Sequence, residues 1–395
     1  MRILFLSQRV PYPPNRGDKI TTWRLIERMA RAHTVEVVAF AHDEADEVAV
    51  KHLLDKGFDT SFVEHRALPA KLRSLPLLFT RRPLTLGYYG SKELQAEVDR
   101  RIGRADLAYA YSSSMGAFLL KHATPRVMHF AELDSDKWRQ YAERSGPPGR
   151  WIYRREAQTL LSFERELAAG SRTSVLCTRL EEEIFRRAIP GARTEVLRNG
   201  VDLEHFRPDP DYAEPGRIVF TGVMDYLPNV DGCQWFTRRV FLRLLKDYGD
   251  ASFDIVGASP APEVQELARY PNVRVTGFVP DTRTWLREAS VAVAPLRIAR
   301  GIQNKVLEAM AMGLPVVGTT GATQGVEGEP GRHFLVADDE DAFHAALKGL
   351  LDAPEEARAL GARARAFVEE RFDWERCLAP LDGLLAEAAR AVATP

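Results

Sequence analysis

Residues 295–317 read PLRIARGIQNKVLEAMAMGLPVV and contain the clearest structural signal in the chain. The apolar run VAVA directly before Pro295 predicts a buried strand, and apolar residues at helical spacing predict a helix from near Gln303 to Gly313. A loop that contains Gly301 connects the two. The first turn of such a helix presents backbone N–H groups and the positive end of the helix dipole, which together attract an anion. The stretch therefore predicts a strand, a loop and a helix that could bind a phosphate group.

Two side chains of this helix have chemistry that suits such a ligand. Lys305 would add a positive charge in the first turn, and Glu308, one turn later, could accept hydrogen bonds from vicinal hydroxyls such as those of a ribose. A diphosphate is the ligand that this pair favours. The alternative is an ordinary amphipathic helix that ends at Gly313. That alternative accounts for Gly313 and the apolar positions, but not for the glycine loop or Lys305.

Short apolar runs alternate with helical patterns along the whole sequence. They predict strands at 3–6, 35–40, 108–111, 126–130 and 174–177 in the first half, and at 218–221, 253–256, 273–276, 291–294, 315–318 and 334–336 in the second. Such alternation is typical of doubly wound α/β folds with parallel strands. A chain of 395 residues is too long for one hydrophobic core, so we expect two domains joined near residues 193–208.

Composition favours a cytoplasmic protein. The formal net charge is -1, so nothing indicates a nucleic-acid partner. The three cysteines, Cys177, Cys233 and Cys377, are far apart, which favours a reducing compartment over a disulfide framework or a zinc site. The N-terminus lacks the pattern of a signal peptide, and no apolar stretch is long enough to predict a membrane-spanning helix.

The pattern P-x(5)-G-x(3)-K-x-LEAMA-x-G-x-PVV resembles the donor-site signature of GT4-type glycosyltransferases. Four more segments resemble this family in the same order: RNGVDLEHFRP (198–208), FDIVGASP (253–260), VRVTGFVPDTRTWLREASVAVAP (273–295) and FDWERCLAPLDGLL (372–385). The resemblance implies the GT-B fold, in which two Rossmann-like, doubly wound parallel-sheet domains face a cleft. It implies an acceptor-side domain at 1–197, a nucleotide-sugar donor domain at 198–373, and a C-terminal helix at 374–395 that crosses back to the first domain.

The resemblance also implies the residues of the site. Glu308 would hold the ribose, Lys305 the diphosphate, and the backbone at Phe278 would meet the nucleotide base. The implied donor-binding residues are Gly17, Asp18, Gly222, Gly257, Phe278, Val279, Gly301, Ile302, Lys305 and Glu308, and the implied catalytic residues are Lys305, Glu308 and His129. Arg297 and Arg300 are further donor-binding candidates, because they are the nearest cations by sequence.

The three candidates in the first half of the chain each have an alternative interpretation. Gly17 and Asp18 lie in a loop that approaches the donor phosphates or the acceptor in similar enzymes, although an ordinary Pro/Gly loop explains them too. His129 follows an apolar strand pattern, and ligands of parallel sheets bind at the carboxyl ends of strands. It would contact the donor sugar or the acceptor, or else be a structural histidine.

The sequence departs from the family pattern at two places. Arg300 stands eight residues before Glu308, where a glutamate usually contacts the transferred sugar. The loop TGVMDYLPNVDG at 221–232 lacks the Arg and Lys that the family often has there. We therefore expect Arg297, Arg300 and Lys305 to supply the positive charge for the diphosphate.

Asp134 and Asp136 form a D-x-D motif, which holds a divalent metal on the donor phosphates in the other glycosyltransferase fold. Here the motif enters a predicted helix, so Asp134 or Ser135 is better explained as its N-cap. A cationic helix terminus would neutralise the leaving diphosphate without a metal. We expect a metal-independent protein without a cofactor.

The segment 65–92 contains six Lys or Arg residues and no acidic residue, with leucines and aromatic residues between them. Such a segment could lie on an anionic membrane, beside a lipid-linked acceptor on the inner face of the cell membrane. It could equally be a partly buried surface segment whose long cations extend into solvent.

Together these features predict a retaining, hexosyltransferase-like enzyme that transfers sugar from a UDP- or GDP-sugar to a hydroxyl of a glycan or lipid-linked acceptor. FTGVMDYLPNVDG (220–232) and ELDSDKW (132–138) most resemble sugar transferases of exopolysaccharide and exosortase (PEP-CTERM) systems. A nucleotide-sugar epimerase or hydrolase of the same fold is one alternative. A non-catalytic nucleotide-sugar-binding protein is another, favoured by Arg300 in place of the family glutamate.

Overall fold

The computed structural model describes residues 1–209, 213–299 and 301–390. The chain divides into two compact units. The first unit comprises Met1–Arg198 and the chain from Leu378 onward, and the second unit is Asn199–Cys377. Within the described part of the chain, no helix is both long and apolar enough to cross a bilayer.

The first unit is built on a seven-stranded parallel sheet with the strand order β3-β2-β1-β4-β5-β6-β7. The strands are β1 Arg2–Ser7, β2 Thr34–Ala41, β3 Asp59–Glu64, β4 Leu107–Tyr111, β5 Arg126–Ala131, β6 Thr173–Leu176 and β7 Thr194–Val196. The helices are α1 Gly17–Ala30, α2 Glu44–Asp55, α3 Ala67–Ser74, α4 Leu84–Tyr89, α5 Lys92–Ile102, α6 Ser113–Gly116, α7 Asp134–Arg144, α8 Gly149–Ala169 and α9 Arg179–Ala188, with 3-10 turns at Leu75–Phe79 and Ala117–Leu119.

The second unit has a six-stranded parallel sheet in the order β10-β9-β8-β11-β12-β13. Its strands are β8 Arg217–Thr221, β9 Ser252–Val256, β10 Val273–Val275, β11 Val291–Ala294, β12 Val316–Gly318 and β13 Leu335–Val336. Its helices are α10 Leu227–Trp235, α11 Leu242–Asp247, α12 Pro262–Gln265, α13 Arg283–Glu288, α14 Asn304–Ala311, α15 Thr320–Thr323, α16 Glu340–Asp352 and α17 Pro354–Arg371. A π-helical stretch, Phe236–Phe241, connects α10 to α11, and α18 spans Trp374–Arg390.

The central strands of both sheets are buried, because they are apolar runs packed between helices. Strands β4, β8 and β11 have no exposed side chain, as expected for strands in the middle of a doubly wound sheet. The prediction of two doubly wound parallel sheets is confirmed. Strands β3 and β7 were not predicted, because their sequences DTSFVE and TEV lack an apolar run and belong to the edges of the sheet.

Candidate functional site

The candidate site lies in the second unit, at the carboxyl ends of β8, β9, β10 and β11. The loops after β8 and β9 pack backbone against backbone. The N–H of Gly222 donates to the Val256 carbonyl (3.0 Å), and the N–H of Met224 donates to the Ala258 carbonyl (2.8 Å). Gly257 has a φ of +149°, and a Cβ there would lie 1.7 Å from the Gly222 carbonyl oxygen. Only glycine fits this close approach, which accounts for the pattern FDIVG at the end of β9.

Helix α14 presents Lys305 to these loops. The half-buried Lys305 ammonium donates to Asn229 Oδ1 at 2.6 Å and lies 4.4 Å from the centroid of the Phe220 ring. A Cβ on Gly222 would come within 3.0 Å of the same Nζ. Asn229 in turn donates its amide to the Val223 carbonyl (2.8 Å), which fixes its oxygen towards the lysine. Lys305 is therefore held by Asn229 on α10 and contacts the ring of Phe220 on β8.

Burial changes the pKa values of two ionisable groups on α14, Lys305 and Glu308. It lowers the pKa of Lys305 to about 8, partly offset by Cys233 and Glu308. It raises the pKa of Glu308 to about 7, partly offset by Lys305. The Lys305 ammonium is therefore poorly solvated near neutral pH. A bound anion would stabilise its charge in place of the missing water.

The start of α14 provides backbone donors beside Lys305. Gln303 takes the N-cap position in an extended conformation, and its side chain makes no capping hydrogen bond. The N–H groups of a first helical turn have no partner four residues earlier, so they point out of the helix end. Gly301 has a φ of +60°, and a Cβ on Gly325 would lie 2.1 Å from the Gly301 carbonyl oxygen. The glycine loop therefore packs closely on the chain at Gly325 and brings the buried Ile302 to the helix start.

The opposite end of α14 is anchored to the body of the second unit. Gly313 follows the helix with a φ of +73°, and a Cβ on Gly361 of α17 would lie 1.9 Å from the Gly313 carbonyl oxygen. The Arg365 guanidinium, also on α17, donates to the carbonyls of Ala311 and Phe206, both at 2.5 Å. A cation at a helix C-terminus satisfies free carbonyls and complements the dipole, so α14 is fixed from behind.

Arg297, which was expected to supply positive charge for the diphosphate, already has a partner. The Arg297 guanidinium forms a bidentate ion pair with Asp231, with Nε 2.9 Å from Oδ2. Its charge is therefore shared with a carboxylate of α10. Arg300 lies outside the described residues.

Phe278 lies in the loop after β10 and is 71% exposed, whereas its neighbour Val279 is half-buried. Thr276 ties this loop to the one after β9, because its hydroxyl accepts from the Gly257 N–H (3.3 Å) and donates to the Gly277 carbonyl (2.8 Å). An exposed aromatic ring beside the site is a surface on which a base can stack.

Three candidates, Gly17, Asp18 and His129, belong to the first unit. Asp18, in the first turn of α1, pairs with Arg16 (3.2 Å) and Arg9 (3.4 Å), and Gly17 begins that helix. His129 is fully buried in β5, where its Nδ1 lies 2.7 Å from the Tyr109 hydroxyl. Burial lowers the pKa of His129 to about 3, so the ring is neutral, and its Nε2 has no partner among the described residues.

The D-x-D carboxylates point to structural roles. Asp134 is half-buried and accepts from the Ser113 hydroxyl (2.8 Å), and Asp136 pairs with Arg139 (2.8 Å). Helix α7 begins at Asp134 and has Leu133 as its N-cap, so the prediction that Asp134 or Ser135 is the cap is wrong. Among the described residues, no three His, Cys, Asp or Glu side chains are grouped so that they could hold a metal ion.

Sequence reasoning missed Asn229, Phe220, Asp231 and Gly325. Asn229 and Asp231 lie in the stretch 221–232, which the sequence analysis treated as a loop, whereas the structure places both residues on α10. Their contacts join residues 76 and 66 positions apart, to Lys305 and Arg297 respectively. The signal available for Asn229 was a polar residue shortly after a predicted strand.

Residues 215–353 match the family model described as Glycosyl transferases group 1. A comparison with curated proteins found no significant match.

Solved structures resemble the whole chain. Sucrose-phosphate synthase from Thermosynechococcus elongatus has a TM-score of 0.76 at 18% identity, covering 99% of this chain and 100% of its own. HepE from Anabaena in complex with UDP and glucose has a TM-score of 0.71 at 15% identity, covering 98% and 99%. TarM, whose S. aureus form has been solved with UDP, has a TM-score of 0.70 at 10% identity, covering 98% of each chain. The fold is therefore the GT-B fold, as the sequence predicted.

Proposed function

We propose that this protein is a glycosyltransferase that moves sugar from a UDP- or GDP-sugar to a hydroxyl of a glycan or lipid-linked acceptor. The observation that supports this most is the Lys305 ammonium held by Asn229 at the start of α14, within the segment that matches the family model. The related structures of HepE, one with UDP-glucose, and of TarM with UDP are in keeping with such a donor.

In this proposal the diphosphate lies against the start of α14. Lys305 and the first-turn N–H groups stabilise the negative charge that develops on the leaving diphosphate, in a position fixed before reaction. Glu308 accepts hydrogen bonds from the ribose hydroxyls, and the Phe278 ring stacks on the base. Lys305 is the principal cation, because Arg297 is already paired with Asp231.

Transfer with retention of configuration is the mechanism that we propose. The acceptor hydroxyl attacks from the face that the diphosphate leaves, and a phosphate oxygen takes the hydroxyl proton. A divalent metal has no required part, because a helix N-terminus and an ammonium supply the positive charge. We further propose a cytoplasmic role in exopolysaccharide biosynthesis, on the resemblance of the segments 132–138 and 220–232.

A panel of nucleotide sugars tests the donor site by thermal stabilisation of the full chain. A ligand at a hundred times its dissociation constant adds about 2.7 kcal/mol to the unfolding free energy. We expect one UDP- or GDP-sugar to stabilise the protein most, and sugar transfer to a glycan acceptor to follow with that donor. Absence of stabilisation by the whole panel would refute the proposal. Donor consumption without an acceptor would instead indicate a hydrolase or an epimerase, and donor binding without any turnover a binding protein.

The Glu308→Gln variant tests the assignment of the ribose. Because only the nucleotide has a ribose, we expect weaker binding of UDP or GDP and unchanged binding of inorganic pyrophosphate. Glu266→Gln, an exposed glutamate of the same unit, is the control and should bind both as the wild type does. Equal losses for nucleotide and pyrophosphate would place Glu308 at the phosphates and contradict the assignment.

A further inference from the structure

The segment 65–92 has an unusual distribution of apolar side chains. Leu68, Leu72, Leu75 and Phe79 are 76%, 68%, 51% and 89% exposed. Leu68, Leu72 and the C-cap residue Leu75 are spaced by four and three residues and so share one face of α3, and Phe79 ends the 3-10 turn that continues it. These four exposed side chains are called the stripe. Elsewhere in the fold such a stripe faces the core.

The inner face of the same helix is made of small residues. Ala70 and Ser74 are buried, and a Cβ on Gly87 of α4 would lie 2.9 Å from Ser74 Cα. This arrangement inverts the usual amphipathic helix, because the large apolar residues point away from the protein. Exposure on this scale marks an interaction surface rather than a chance distribution.

Helix α8 holds the segment firmly against the first unit. The Arg155 guanidinium donates to the carbonyls of Leu78 (2.9 Å), Thr80 (2.6 Å) and Arg82 (2.8 Å). The buried Glu156 carboxylate accepts from the backbone N–H groups of Leu84 (2.7 Å) and Thr85 (2.9 Å). The outward stripe is therefore presented by a fixed support.

Positive charge surrounds the stripe. Lys71, Arg73, Arg81 and Arg82 are exposed, and 65–92 has no acidic residue. Trp151 is 57% exposed and precedes Arg155 by one turn of α8, so it lies on the helix face that binds the segment. Tryptophan favours the interface between water and lipid, where its ring is partly buried.

We propose that this surface, formed by the stripe, its four cations and Trp151, docks the protein on an anionic lipid bilayer. The apolar side chains enter the boundary between headgroups and acyl chains, and the cations contact the anionic headgroups. A symmetric contact with a second copy is disfavoured, because it would bring two acid-free cationic segments together. The proposal goes beyond the donor chemistry, since all of these residues belong to the first unit.

Flotation of the full chain with vesicles tests the surface. The wild type is expected to bind vesicles of phosphatidylcholine and phosphatidylglycerol in equal parts, and to bind pure phosphatidylcholine weakly. Arg81→Gln with Arg82→Gln is expected to lower partitioning about 30-fold, at about one kcal/mol for each cation. The exposed pair Arg238→Gln with Arg239→Gln in the second unit is the matched control and should leave partitioning unchanged.

A second pair of variants tests the apolar stripe. Phe79→Glu is expected to reduce partitioning tenfold or more, whereas Val48→Glu, a 71% exposed position on α2, should not. Absence of wild-type binding to the anionic vesicles, or equal effects of the two variants, would overturn the proposal. So would a wild-type dimer in solution that Phe79→Glu dissociates. Donor-induced thermal stabilisation, measured on the same variants, should remain unchanged and separates this test from that of the donor site.

Discussion

Replacement of Lys305 by alanine is the most direct perturbation of the donor site. Burial lowers the pKa of Lys305 from 10.5 to about 8. At about 1.4 kcal/mol for each pKa unit, this corresponds to roughly 3 kcal/mol that disfavour the charged ammonium in the empty site. A hydrogen bond between charged groups contributes about 1.5–3 kcal/mol, so we expect Lys305→Ala to weaken donor binding about 10- to 100-fold.

Isothermal titration calorimetry at pH 7 measures this loss with the most stabilising nucleotide sugar. The exposed Lys246→Ala variant on α11 is the control for a change in net charge. The pH dependence gives a second measurement. A bound anion raises the pKa of Lys305, so the advantage of the wild type is complete below about pH 8 and declines as the pH rises further.

Two outcomes would refute this reasoning. Equal dissociation constants for the wild type and Lys305→Ala would remove Lys305 from the phosphate site. The second outcome is that the wild type still binds the donor more tightly than Lys305→Ala, by the same factor, well above pH 8. This result would show that the donor does not bind the charge of Lys305. Loss of pyrophosphate binding along with nucleotide-sugar binding is expected, because Lys305 is assigned to the diphosphate.

Two further predictions concern the stability of each unit. Gly257→Ala is expected to lower the free energy of unfolding in urea by about 3 kcal/mol, because the new Cβ would meet the Gly222 carbonyl. Gly249→Ala, where no atom lies within 4 Å, should change it by no more than about 0.5 kcal/mol, and equal losses would contradict the argument. Burial and Asp134 raise the pKa of Glu164 to about 8, so wild-type stability should fall as the pH rises from about 4.5 to 8. Glu164→Gln should remove roughly 2–4 kcal/mol of this dependence in pH-dependent thermal unfolding, and an unchanged slope would contradict it.

The sequence predicted the parts of the fold that rest on apolar runs. Strands such as β8 and β11 are buried on both faces, so each is a continuous run of mostly apolar residues. Such a short run between loop residues indicates a buried strand. In the edge strand β3 only Thr60 is buried, and the polar residues of the strand leave no apolar run to predict it from. Helix α14 was predicted because its apolar spacing and the glycine that follows it are visible within one short stretch of sequence.

The site was predictable only where its determinants are local. Lys305 and Glu308 belong to one helix turn, and their roles follow from its position after a strand. The bond from Lys305 to Asn229 and the ion pair of Arg297 with Asp231 join distant parts of the chain, and a single sequence shows no trace of either. The burial of His129 likewise depends on which helices cover β5, which its own strand pattern does not specify.

The anchoring of α14 by Gly361 and Arg365 has a consequence for protein engineering. Since a Cβ on Gly361 would meet the Gly313 carbonyl, and Arg365 binds the final carbonyls of the helix, the far end of α14 tolerates little change. Substitutions in a mutant library are therefore best kept away from Gly313, Gly361 and Arg365, because a change at any of them would shift the helix that carries Lys305.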